Sequence, residues 1–326
     1  MPAPISPPDE AALADLLLSR LFRELQRMHF RFEYLTSTKA AKCVYMVAES
    51  LELPLTRGWY KYGMYVFAGD LSGPHLDQLA ASRDSVVGVT PSEETRLLQR
   101  AGVDAWTLDE KIAEYAPIFF RPMEDFLEDI YRFQAPDEFQ PAYVGNFRLR
   151  GFWEKVFMAT RPSTAGEYLA GFTKHVSELQ RGLGFMATDS ELLDLVNEFL
   201  VLFEDLFIRF DVSLAQEEPS SNLQHFLRDA FVLYDRSPWD VVAKVIGSRT
   251  VHGPSHELVR EHLRSAVRTA PPVLSNELHE FKSQAEAGGF LPTAKDIDYA
   301  YDKLRRRYSL SAEHLDNLLR HVEDTG

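Results

Sequence analysis

A single cysteine, Cys43, leaves no partner for an internal disulfide and no thiolate set for a multi-cysteine metal site. It falls inside a predicted helix, where a thiol reads as a small buried apolar group. Long apolar runs are missing too. None reaches the roughly 18 residues that a transmembrane helix needs, so no membrane span is expected. The opening stretch MPAPISPPDE is Pro-rich and acidic, without the basic start and apolar centre of a secretory signal. The expectation is therefore a cytoplasmic chain. Positive charge is in deficit as well: 35 Lys and Arg stand against 49 Asp and Glu, a net charge of −14. Neutralising phosphates with Lys and Arg supplies most non-specific affinity for nucleic acid, so that class of partner is disfavoured. Long-range attraction to an anionic membrane is disfavoured on the same ground.

The motifs of several enzyme classes are also absent. There is no GxxxxGK[ST] loop for a nucleotide phosphate, no GxSxG elbow and no HExxH zinc helix. Gly182 and Gly184, in RGLGFMA, stand between predicted helices rather than after a strand. No Glu-x-x-His pair offers ligands for a carboxylate-bridged di-iron centre. No cofactor is called for.

What is present is a packed, largely helical chain. Its 45% hydrophobic and 12% aromatic content fits a globular protein. Its 326 residues suffice for one large domain or two ordinary ones. Residues 1–8 read as a flexible lead. An N-terminal helical domain is expected over 9–135 and an all-helical C-terminal domain over 146–326. Between them lies the turn-rich APDEFQPAYVG, residues 135–145. Leu13, Leu16, Leu17, Leu21, Phe22 and Leu25 set a helical period in the first helix. Thr36 or Ser37 caps a second over 38–51, closed by Pro54. A long helix over 107–133 is interrupted near Pro117 and Pro122. The second half reads as helix after helix, with 254–268 and 272–287 as separate elements and 189–214 the most apolar and central.

One segment breaks the pattern. Trp59, Tyr60, Tyr62, Met64, Tyr65 and Phe67 crowd around Gly63, which reads as a short strand or strand-turn. After it come a short helix from Ser72 to Ser82 and a strand at SVVGV, 85–89. The fold class expected is mainly α, with a small winged-helix-like α/β element near residues 59–89. Upstream, Lys39, Lys42 and Tyr45 recur every three residues on one helix face. With the aromatic run they form either part of the core, its lysines exposed at the rim, or a partner-binding surface. The core is the default reading; the enrichment of Trp and Tyr among interface hot spots is the ground for the second. Lys39, Lys42, Tyr45, Trp59, Tyr60, Tyr62, Gly63 and Tyr65 are the candidate partner-binding residues.

Four other constellations carry chemistry-bearing residues. Arg23-x5-His29 has the spacing of helical HEPN-type ribonucleases, although the acidic Glu24 beside Arg23 opposes phosphate approach. His252, His256 and His262 lie around Gly253-Pro254, which points to a helix-entry loop rather than a metal site. Glu124, Asp125, Glu128 and Asp129 form an acidic ridge that Arg121 and Arg132 can offset. Arg305, Arg306 and Arg307 form a dense basic run, with Tyr299, Tyr301 and Tyr308 near for stacking on bases.

Lys39-x-x-Lys42-x-x-Tyr45-x-x-Ala48, followed by Tyr60-Lys61-Tyr62-Gly63, resembles the Panacea, or SocA-like, antitoxin domain. That family carries a K-L-Q-K-L-L-Y-F-A helix and, some way on, W-x-Y-G-P. Here Trp59 stands one place early, Met64 replaces the proline, and Ala40-Ala41 replace Leu-Gln. The likeness spans residues 30–85 at most. It implies a winged-helix-like core and neutralisation of a toxin by direct protein contact. The reading taken forward is a non-enzymatic, antitoxin-like or defence-system interaction subunit whose acidic surface steers a basic toxin or nuclease. Alternatives are a winged-helix-like nucleic-acid binder and a HEPN-type ribonuclease using Arg23 and His29.

Overall fold

The computed structural model describes residues 5–68, 76, 90–158, 167–216, 221–303 and 305. The chain is mainly α, with one small two-stranded antiparallel sheet among the described residues. It divides into two compact units. The first joins Met1–Ala135 to Val241–Arg268; the second joins Pro136–Asp240 to Thr269–Gly326.

In the first unit, helix α1 (Pro7–Arg27) starts at Ser6, whose hydroxyl accepts the Asp9 N–H. Its apolar stripe of Leu13, Leu17, Leu21 and Leu25 is buried, as the sequence period dictates. Thr36 caps α2 (Ser37–Ser50) by accepting the Lys39 N–H. Strands β1 (Arg57–Tyr60) and β2 (Gly63–Val66) then form a hairpin, with Trp59 opposite Met64 and Tyr60 opposite Gly63. The aromatic run is therefore a strand pair rather than one strand. Helix α3 (Pro91–Ala101) has a Thr90–Glu93 capping box and a left-handed Gly102 at its end. Pro117 and Pro122 divide the next stretch into α4 (Ala105–Tyr115), a 3-10 turn (Ala116–Phe120) and α5 (Met123–Phe133). The expected strand at 85–89 and most of the helix over 72–82 lie outside the described residues.

The second unit is built from α6 (Gln140–Met158), α7 (Glu167–Gly182), α8 (Ser190–Ala215) and α9 (Ser221–Arg236). Its core is aromatic. Trp153 and Phe172 each lie in ring contact with Phe203 and Phe207 and with one another, and Phe172 stacks on Phe207 at 4.4 Å. Helices α6 and α7 approach closely because Gly145 lets Leu179 in; a Cβ there would stand 2.8 Å from the Leu179 Cα. Tyr234 donates a buried 2.7 Å hydrogen bond to Asn146.

Three expectations need correction. A contiguous C-terminal domain over 146–326 was expected, but Val241–Arg268, which holds most of α10 (Pro238–Thr250), belongs to the first unit. The free edge of β1 explains this: Arg57 and His252 exchange both backbone hydrogen bonds at 2.9 Å. The Ser255 N–H also bonds Thr56 Oγ1 at 2.8 Å. The buried Glu10 carboxylate accepts the Thr56 N–H at 2.8 Å and the Ser255 hydroxyl. Second, Pro271-Pro272 does not separate two helices but lies inside α11 (His256–Ala287). An interior proline costs a helix one hydrogen bond and crowds the carbonyl four residues back; here Ala270, Leu274, Leu278 and Phe281 keep a buried face through that point, and this packing offsets the cost. Third, the turn-rich 135–145 contains the start of α6, with Pro141 in its first turn.

Candidate functional site

The hairpin has two unlike faces because strand side chains alternate. Arg57, Trp59, Met64 and Val66 share the inner face and are all buried. Tyr60, Tyr65 and Phe67 share the outer face and are half-buried. Their rings form a triad, with centroids 5.7, 5.9 and 5.2 Å apart. Tyr62 sits at the turn, 42% exposed, with the Lys61 ammonium 5.6 Å from its ring centre.

Under the inner face lies Lys42, whose side chain is fully buried. Its ammonium donates to the Tyr62 carbonyl oxygen, fastening the hairpin turn to α2. Burial pushes its pKa down to about 7. One turn earlier, Lys39 donates to the Phe119 and Arg121 carbonyls at 3.0 and 2.6 Å, where the 3-10 turn ends. Burial, and then the nearby Arg121 guanidinium, lower its pKa. Gly63 is required on two counts. Its φ is +89°, and a Cβ would stand 2.9 Å from Tyr131 Cε1 and 3.3 Å from Trp59 Cζ3. Tyr45 is buried beside them. Burial and then the Glu49 carboxylate push its phenol up to about 12, against smaller opposing effects of Arg57 and a hydrogen bond to Trp59.

The expected rim of exposed lysines is thus corrected. Lys39, Lys42, Tyr45, Trp59 and Gly63 are core residues, and Tyr60, Tyr62 and Tyr65 are the candidate residues that reach the surface. The two lysines turn inward because backbone carbonyls at the turn and at residues 119 and 121 need donors that no strand or helix supplies. Phe67 was missed as part of the outer face; its signal is the two-residue step from Tyr65.

A second polar group lies at the β1 edge. Glu49 Oε2 accepts from Arg57 Nε at 2.6 Å and lies 3.3 Å from His252 Nε2. Burial alone would raise the Glu49 pKa, but the hydrogen bonds from Arg57 and His252 outweigh it and hold the carboxyl below its usual value. His252 sits in the loop before α11, as Gly253-Pro254 suggested, and His256 begins that helix. Among the described residues, no three His, Cys, Asp or Glu side chains are placed to hold a metal ion.

The other candidates stay apart. Arg23 is exposed on α1, and His29 lies just past the end of that helix at φ +57°. No hydrogen bond or ion pair links the two side chains. The acidic ridge is offset as expected, Arg121 pairing with Asp129 at 2.5 Å and Arg132 with Glu128 at 3.3 Å. Arg305 is exposed, while Arg306 and Arg307 lie outside the described residues. No helix among the described residues is long and apolar enough to cross a membrane.

Residues 110–308 match the model of a family described as a domain of unknown function, DUF8098. The chain belongs to this family. The matched stretch includes α5 through α11 and leaves out the hairpin and the Lys39–Lys42 helix. No curated protein and no solved structure matches the chain.

Proposed function

We propose that this chain is a non-enzymatic interaction subunit that holds a protein partner, in the manner of an antitoxin or a regulatory component. The observation that carries this reading is the outer face of the hairpin, with three half-exposed aromatic rings in mutual contact and Tyr62 at the turn. Tyr side chains give large contact area at small entropic cost, and they act best on a fixed support. Lys42 and Lys39 supply that support by anchoring the turn and the helix behind it. The resemblance at residues 39–63 agrees with this role when read as the scaffold of the surface rather than the surface itself. A net charge of −14 favours a basic partner, with steering that raises the association rate more than the affinity.

The test is an affinity pull-down from the native host with tagged full-length chain, with and without nuclease. One stoichiometric protein that survives nuclease and is lost with Tyr65→Ser supports the proposal. Recovery of nucleic acid without protein would move the function to nucleic-acid binding.

A further inference from the structure

In the second unit, α9 and α11 run side by side and leave an open groove of about 310 Å³. Each helix lines it with residues at steps of three, four and seven: Asp229, Val232, Leu233 and Arg236 on α9, and Glu277, Glu280, Phe281 and Gln284 on α11. The floor is apolar and stiff. Phe281 is buried, and its ring stacks on Phe226 at 4.4 Å with planes 10° apart. Val232 stands on the wall, 60% exposed. The rim is acidic, with three carboxylates against one guanidinium. That guanidinium, Arg236, lies 3.3 Å from Glu277, which also accepts the Ser237 hydroxyl. Asp229 and Glu280 have no ion pair among the described residues.

We infer that this groove receives a basic amphipathic helix of a protein partner, an aliphatic or aromatic side chain lying on Phe281 and Val232 and lysines or arginines meeting Asp229 and Glu280. The volume is at the small end for a ligand cavity and suits one large anchor side chain. An exposed valine beside a buried aromatic floor gives that anchor an apolar seat, and the two unpaired carboxylates select a cationic flank over an acidic one. Arg236 is already neutralised by Glu277, so it does not cancel the selection. The groove belongs to the second unit and the hairpin to the first.

The probe is a synthetic helical peptide of about 15 residues, with leucine and phenylalanine on one face and lysine flanking them. Its binding to the full chain is followed by fluorescence anisotropy at about 0.15 M salt, where exposed charges further apart than about 8 Å are largely screened. Saturable binding is expected. Val232→Asp, which removes the apolar wall but adds negative charge, should weaken it about tenfold or more, and Glu280→Lys should also weaken it. Both sites are exposed, so the fold should survive, and a circular dichroism melt checks this. Tyr65→Ser, on the hairpin, should leave the peptide affinity unchanged. If Val232→Asp binds the peptide as well as or better than the parent, the attraction is general charge and the groove assignment is overturned. Absence of saturable binding overturns it equally.

Discussion

The ammonium of Lys42 donates to the carbonyl oxygen of Tyr62, so a fully buried lysine on α2 holds the exposed turn of the hairpin. The bond joins the part of the motif that cannot reach a partner to the part that can. It assigns the lysines a structural task and leaves recognition to the tyrosines.

Stability should depend on pH through Lys42. Its pKa falls from 10.5 to about 7 on folding, so between those values the unfolded chain binds more protons than the folded one. Stability from this group therefore rises with pH above about 7 and is flat below it. Lys39 lies one turn away with its ammonium on carbonyls, and Tyr131 borders Gly63. Cys43 and Tyr45 have raised pKa values and act in the opposite sense, from about 9 and 10 upward. Below about pH 9 these two are silent, while Lys39, its pKa lowered as well, acts in the same sense as Lys42. Chemical denaturation between pH 7 and 9 should show a larger rise in the parent than in Lys42→Met, the difference being the share of Lys42. A rise of equal size in the variant would remove Lys42 as its source.

Gly63→Ala should destabilise the chain by about 2–3 kcal/mol, combining a disfavoured positive φ with overpacking against Tyr131. Thermal unfolding measures it, and a change within about 0.5 kcal/mol would contradict this packing.

Trp59 and Tyr62 should separate core from surface. Trp59→Ala should cost about 3–5 kcal/mol, as for other buried large-to-small changes. Tyr62→Ala, at an exposed turn, should change stability by less than about 0.5 kcal/mol. Equal losses would mean that Tyr62 is not a surface residue.

Tyr234→Phe tests the second unit. It removes the 2.7 Å bond to Asn146 and leaves a buried amide oxygen without its donor. A loss of about 1–3 kcal/mol is expected in denaturant unfolding. No loss would show that the pair contributes nothing to folding.

How much of this structure was legible in the sequence depends on which interactions are local. The Thr36 cap, the Gly102 stop, the breaks at Pro117 and Pro122 and the boundary after residue 135 all depend on neighbours within a few positions, and each could be read. The inward lysines could not. Their shared face is evident from spacing, but the acceptors at Phe119 and Arg121 lie 80 and 82 residues from Lys39. The return of Val241–Arg268 to the first unit was hidden for the same reason, because the pairing of Arg57 with His252 has no local signature. Among the candidate residues, Tyr60, Tyr62 and Tyr65 were chosen for aromatic content, and only the alternation of the hairpin separates them from Trp59.

If the outer hairpin face, not the lysine motif beneath it, meets the partner, two substitutions should part company. Partner recovery from nuclease-treated host lysate is compared for full-length chain carrying Tyr65→Ser or Trp59→Phe, each first shown to be folded. Tyr65→Ser should lose the partner while Trp59→Phe keeps it. Retention by Tyr65→Ser, with loss only in the core variant, would place recognition elsewhere and contradict the proposed surface.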